Sequence, residues 1–240
     1  MKEFENSNWA RPDYSREYRE TADQIIPERQ TLLRIAASFY CHNIRDGRRK
    51  RILDLGCGDG ILAQILSRQD DEAHIVLADG SAEMLASARQ RLSGMQNAEF
   101  LQATFEEVLS GAFRPAPFEF IGSAFAIHHL EMPDKARLFR SVHGLLTPGG
   151  CFLLIDAAES ERYAEWYYAL WKEWILAHEE FTKPAESAAD VPAHARAKPE
   201  NHYDSLQGQL DALKSAGFID VECHYQYGMF AVFGGMKQGG

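Results

Sequence analysis

Through the first two thirds of the chain, short apolar runs alternate with longer segments of helical periodicity. The strand-like runs are RILDL, HIVLAD, AEFLQA, FEFIGSAFA and CFLLIDA, and the helical segments among them are GILAQILSRQ, SAEMLASARQRL and PDKARLFRSVHGLL. Near-continuous apolar strands separated by helices predict a parallel sheet covered on both faces, a doubly wound α/β layout. Ser81 stands at a helix N-cap position, Pro133 in the first turn of a helix, and LLTPGG stops that helix ahead of Cys151.

Beyond CFLLIDAAES the alternation changes. Residues 161–181 place Tyr163, Tyr167, Leu170, Trp171 and Trp174 at helical spacing, which predicts a helix with one broad aromatic face. Residues 183–201 are rich in Pro and Ala without periodicity and read as a loop. A last helix, SLQGQLDALKSAG, leads into FIDVECHYQY and MFAVFGGMK, antiparallel strands joined by a turn at Gly228. The reading is one domain over 1–240. Its parts are a helical N-terminal cap segment (1–48), a core (49–157), an aromatic helix and loop insertion (158–202), and a helix with a strand pair (203–237) that completes the sheet.

Composition narrows the function classes. The chain has 240 residues, 45% of them hydrophobic, and a formal charge of −10, which gives no general attraction to a phosphate backbone or an anionic membrane. The basic run RDGRRKR (45–51) enters a strand at the end opposite to where open α/β sheets bind ligands, so it reads as a solvated edge. Four scattered cysteines form no CxxC pair and suggest neither disulfides nor a metal cluster. The N-terminus lacks an apolar leader and no stretch approaches spanning length, so a soluble cytoplasmic protein is expected.

The chemistry concentrates in ILDLGCGDG, a strand ending in Asp54, followed by Gly56, Gly58 and Gly60 and then a helix. Glycines let the backbone turn sharply against a ligand, and the helix start supplies free N–H groups. A dinucleotide GxGxxG fingerprint would need glycine at 61, where Ile61 stands. Asp79 ends the next strand, where a carboxylate can accept two ribose hydroxyls. With VLADGSAEML, FEFIGSAFAIHHLE, LLTPGGCFLLIDA and the closing LDALKSAGFIDVECHYQYGMFAVFGG, the chain resembles the class I S-adenosylmethionine (SAM)-dependent methyltransferases. It is most similar to small ones of the ubiquinone/menaquinone-type and type 11/12 groups.

The resemblance implies a Rossmann-like fold and transfer of the SAM methyl to a small-molecule acceptor by in-line displacement. It implies that Asp54 supports the glycine loop and the amino-acid end of SAM, with Gly56, Gly58 and Gly60 lining it. Asp79 would hold the ribose, Gly80 and Met84 would lie beside the adenine, and Ala124 and Phe125 would border the methionine portion. Thr104 stands where the family commonly has an acidic residue, and Phe105 is placed to cover the adenine face. Trp9, Tyr14, Tyr18, Trp171 and Trp174 are the expected cap over the substrate, where aromatic faces favour a sulfonium. Oligomeric state is open in the sequence, with the closing strand turn and the aromatic helix as the candidate contact surfaces of a homodimer.

His128 and His129 follow the fourth strand. Consecutive helical residues diverge by about 100°, so the two do not converge on one metal, and no metal is expected. His128, one step nearer the strand, is the expected general base, and His129 the packing residue. Three alternatives stay open at this level: a non-catalytic SAM-binding module, an RNA methyltransferase disfavoured by the acidic balance, and a nicotinamide-dependent oxidoreductase disfavoured by Ile61.

Overall fold

The computed structural model describes residues 4–178 and 190–240. A seven-stranded sheet runs in the order β3-β2-β1-β4-β5-β7-β6. The strands are β1 (Arg51–Leu55), β2 (His74–Asp79), β3 (Ala98–Gln102), β4 (Phe118–Ala124), β5 (Leu146–Ala157), β6 (Ile219–Tyr227) and β7 (Phe230–Met236). The first five are parallel, while β7 lies antiparallel between β5 and β6. Chain order reverses between β1 and β4, so the crevice above their carboxyl ends is where an open α/β sheet takes a ligand. The fold is the doubly wound, Rossmann-like one expected from the alternation.

Strand side chains alternate between two apolar layers. Ile52, Ile75, Leu77, Phe120, Leu153 and Ile155 face one, and Leu53, Leu55, Val76, Ile121 and Leu154 face the other. The first layer is covered by α2 (Arg29–Asn43), α3 (Ile61–Gln69), α4 (Ala82–Arg91) and α7 (Ala164–Ala177). The second is covered by α5 (Phe105–Ser110), α6 (Met132–Leu145) and α9 (Leu206–Ser215). Two short 3-10 turns, Phe4–Asn6 and Asn8–Ala10, precede α1 (Pro12–Ile25).

Two expectations are corrected, and one helix appears that had not been expected. Within the stretch read as a loop, α8 (Val191–Ala197) forms, started by a proline in its first turn and made of strong helix formers too few to show periodicity. In the aromatic helix the buried stripe is Tyr168, Trp171 and Ile175, while Tyr163 precedes the helix and is 49% exposed. The end of that helix and the first part of the loop reading, 179–189, lie outside the described residues. The short helix α5 was not signalled by period. It is set by a capping box in which the Thr104 hydroxyl accepts from the Glu107 N–H and the Glu107 carboxylate accepts from the Thr104 N–H. Among the described residues no helix is long and apolar enough to cross a membrane.

Between β7, next to one edge of the sheet, and β5 there is no room for a side chain at one point. A Cβ on Gly234, in β7, would lie 2.1 Å from the Phe152 carbonyl oxygen and 3.0 Å from the Leu153 Cα on β5. Gly234→Ala is expected to cost about 3 kcal/mol or more, because the obstruction is backbone. Gly94→Ala, with nothing nearby, should stay within about 0.5 kcal/mol. Urea unfolding of the two variants measures the contrast.

Candidate functional site

A cavity of about 350 Å³ opens above the carboxyl ends of β1, β2 and β4. Its floor is the turn from β1 into α3. Gly56 has φ +68° and a Cβ there would sit 2.6 Å from the Ala126 Cβ, so only glycine fits under the β4 end. The Gly58 N–H donates to Asp79 Oδ2 at 2.8 Å, and Asp79 Oδ1 accepts from the Ser81 N–H at 2.8 Å, so β2's terminal carboxylate is held against the turn. Burial raises the Asp79 carboxyl above its usual range, with these two N–H groups opposing. Ser81 caps α4 by accepting from the Met84 N–H, which brings Met84 to the cavity wall.

Of the residues expected at the site, Gly56, Gly58, Asp79, Gly80, Met84, Thr104, Phe105, Ala124, Phe125, Trp9 and Tyr18 line the cavity. Phe125 adopts φ +55°, an uncommon conformation for an aromatic residue, and its N–H donates to Ile155 O at 2.7 Å. Others stand outside the lining. Asp54 is buried beneath the turn, where Oδ2 accepts from the Ala63 N–H at 3.1 Å and Oδ1 has no partner. Gly60 packs against Leu77, Ala88 and Leu92. Tyr14 stacks edge-on against Trp9 and accepts from the Lys198 ammonium at 2.8 Å.

Trp171 and Trp174 also lie away from the cavity and brace the α1–α2 junction. The Trp171 indole N–H donates to Ile25 O at 2.6 Å, and that of Trp174 to Glu28 Oε1 at 3.3 Å. Arg29, the first residue of α2, lines the cavity and is only 7% exposed; its Nη1 donates to Asp23 Oδ1 at 2.5 Å, while its Nε is buried without a partner. Nothing in its local sequence marks it. Its place is decided by how α2 packs.

The histidine pair is resolved unequally. His129 lines the cavity: Nε2 accepts from the Trp9 indole N–H at 2.8 Å, and Nδ1 lies 3.2 Å from Glu200 O. A carbonyl accepts and an indole N–H donates, so the proton sits on Nδ1. Burial, then the neighbouring His128, hold His129 well below its usual range, and it is neutral. His128 is outside the lining, its side chain 13% exposed and its ring 4.1 Å from that of His129. Its Nδ1 lies 2.5 Å from Asp156 Oδ1 and its backbone N–H donates to Oδ2 at 2.9 Å. Burial would raise Asp156, but His128 and then Lys135 hold it below the usual carboxylate range. The ring is thus oriented, and Nε2 makes no hydrogen bond to a described residue.

The upper wall went unsignalled in the sequence. Phe4 packs on Gly80, where an added Cβ would lie 2.7 Å from the ring, and Asn8 donates to the Glu200 carboxylate. Pro199, Glu200 and His202 close the far side. The lining holds the carboxylates of Asp59, Asp79, Glu106, Glu131 and Glu200 and, among the described residues, Arg29 as its one arginine or lysine. Asp59 is paired with Arg91.

This sheet order, with a glycine turn and an acidic strand end beside it, defines the class I SAM-dependent methyltransferase fold. Residues 52–150 match the family model described as a methyltransferase domain. A ubiquinone biosynthesis O-methyltransferase of Xylella fastidiosa is 33% identical over 153 residues, covering 58% of this chain and 57% of that protein. A carboxy-S-adenosyl-L-methionine synthase of Trichodesmium erythraeum is 23% identical over 98% of this chain and 92% of its own length. Among solved structures, an O-methyltransferase family protein from Burkholderia thailandensis aligns with a TM-score of 0.71 at 15% identity, over 98% of this chain and 63% of that one. The chain thus spans about three fifths of the O-methyltransferase relative and of the solved structure, and nearly all of the synthase.

Asp54 gives the fold a pH dependence, set first by its burial and then by the neighbouring charges of Asp79 and Asp59. Desolvation pushes its carboxyl up to about 7. Below about pH 4 both folded and unfolded chains hold the proton; above that the unfolded chain releases it first, so stability falls until the folded group also ionises near 7. Asp54→Asn, which keeps an acceptor for the Ala63 N–H, should remove that slope. It should raise the unfolding free energy at pH 8 by about 2–4 kcal/mol, read from urea curves between pH 4 and 8.

Proposed function

We propose that the protein is a SAM-dependent methyltransferase acting on a small-molecule acceptor. The observation that carries the reading is the charge pattern of the cavity, predominantly acidic with one guanidinium. Such a wall suits a ligand bearing a sulfonium, an ammonium and a single carboxylate. The residues present fit that group: a glycine turn with no space for a Cβ, a held carboxylate at the end of β2, and a buried arginine with an orphan N–H.

In this reading SAM, when bound, supplies an already activated methyl. Asp79 accepts the ribose hydroxyls, the Gly56–Gly58 backbone cradles the amino-acid end above Asp54, and Arg29 takes the carboxylate. Gly80, Met84, Thr104 and Phe105 form the adenine end, although the Thr104 hydroxyl also caps α5. Ala124 and Phe125 border the methionine portion. Trp9 and Tyr18 close the cavity as cap residues, while Tyr14, Trp171 and Trp174 act by holding the cap and the α1–α2 junction. Orientation of an acceptor along the methyl–sulfur axis contributes on the order of 7–11 kcal/mol. His128, oriented by the Asp156 carboxylate but standing behind His129 and outside the lining, takes the acceptor proton at Nε2 through one water when the nucleophile is a hydroxyl. His129, with both nitrogens engaged, forms the wall.

A second reading, in which SAM itself is modified, is favoured by the end-to-end match to the carboxy-SAM synthase. Mass spectrometry of products separates the two: S-adenosylhomocysteine marks methyl transfer, and a heavier sulfonium marks modification of SAM.

Purified protein incubated with SAM and a broad metabolite extract is expected to release S-adenosylhomocysteine above a no-enzyme control; its absence sinks the methyl-transfer reading. His128→Ala should slow turnover about 10²–10⁴-fold with SAM affinity nearly unchanged. Equal loss of SAM binding would make His128 part of the scaffold. Arg29→Gln should weaken S-adenosylhomocysteine binding about 10–100-fold by calorimetry. It should leave 5′-methylthioadenosine, which lacks the carboxylate, unaffected.

A further inference from the structure

Lys135 is placed against every local preference for a lysine. It is the fourth residue of α6, in the part of a helix where the backbone dipole disfavours a cation, and its side chain has no exposed surface. A leucine or methionine would suit that position as part of a core. Retaining a buried ammonium requires close partners, and it has two: Nζ donates to His202 O and to Asp204 Oδ2, each at 2.5 Å.

Those partners belong to the wall segment that closes the cavity. Pro199, Glu200 and His202 line it, and the segment carries no regular secondary structure of its own between α8 and α9. It is tied elsewhere to the neighbourhood of the histidine pair. The His202 N–H donates to His128 O at 2.7 Å, Glu200 O faces His129 Nδ1 at 3.2 Å, and the Glu159 N–H donates to Tyr203 O at 3.3 Å. Tyr203 packs its ring 5.5 Å from that of His128. The same ammonium is near enough to Asp156, which orients His128, to favour its ionised form. One buried charge thus bears on both the wall and the carboxylate behind the proposed base.

We propose that Lys135 is a positioning residue that locks the 199–204 wall to α6 and fixes its distance from the His128–Asp156 pair. This rests on the methyltransferase reading for its purpose, while the lock itself is a property of the chain. Without the ammonium, the wall keeps its bonds to the 127–129 turn, to Glu159, to Asn8 and to Gln209, none of which ties it to α6.

Hydrogen exchange followed by NMR on the full chain tests it. In Lys135→Met, the His202 and Glu159 amides should exchange at least tenfold faster, while β1 and β2 amides keep their rates. Asp204→Asn, which leaves the lysine in place and is the milder change, should speed the same amides, and the double variant should be no worse than Lys135→Met alone. The His128 Nδ1 proton bonded to Asp156, a far-downfield signal, should shift further downfield in Lys135→Met because the carboxylate loses a neighbouring cation and accepts more strongly, the opposite of what local loosening would produce. S-adenosylhomocysteine affinity should stay within threefold in both variants. Unchanged exchange at His202 and Glu159, an unmoved His128 signal, or additive losses across the two variants would overturn the proposal. Failure of the wild type to bind S-adenosylhomocysteine would instead count against the cofactor reading, and leaves the exchange result to be judged by itself.

Discussion

The site depends on how closely the turn after β1 approaches the end of β4. With the Ala126 Cβ 2.6 Å from where a Gly56 Cβ would lie, the two strand ends meet across the point where the sheet order reverses. The turn consequently presents backbone rather than side chain to the cavity. Gly58 is left free to donate to Asp79, and that bond ties the ends of β1 and β2 into one rigid floor. Everything else at the cavity is placed relative to this floor.

Above the floor, the dominant feature is electrostatic tension held by packing. Asp54 and Asp79 are both raised by burial, and Asp54 keeps an oxygen without a partner. Arg29 carries an orphan Nε in the same cavity wall region. Groups left in this way lower the stability of the free protein and leave interactions for a ligand to complete. Asp156 is a contrasting case, since its carboxylate faces the His128 ring at one oxygen and accepts from the His128 backbone N–H at the other.

Much of this was legible from the order of residues. The glycine turn, Asp79, Met84 behind its Ser81 cap, and the Ala124–Phe125 strand end all sit within short segments whose roles are local. Their geometry follows from a strand, a turn and a helix in sequence, which period and capping rules describe well. The aromatic helix was legible as a helix, but not its purpose. Its tryptophans donate to Ile25 and Glu28 and so reach the cavity only through the α1–α2 junction that carries Arg29.

By itself, then, the sequence determined the sheet, the helices that cover it and the backbone cradle between β1 and α3, because each is encoded by contacts close along the chain. Only the tertiary structure decided which histidine faces the cavity. A single 3-10 turn turns His129 inward toward Trp9 and puts His128 beside Asp156, some 28 positions away. It likewise decided that Phe4, Arg29 and Glu200 share a wall and that Lys135 is buried beneath it. Those pairings join residues far apart in sequence, and no periodicity or cap records a contact that exists only once the layers have packed.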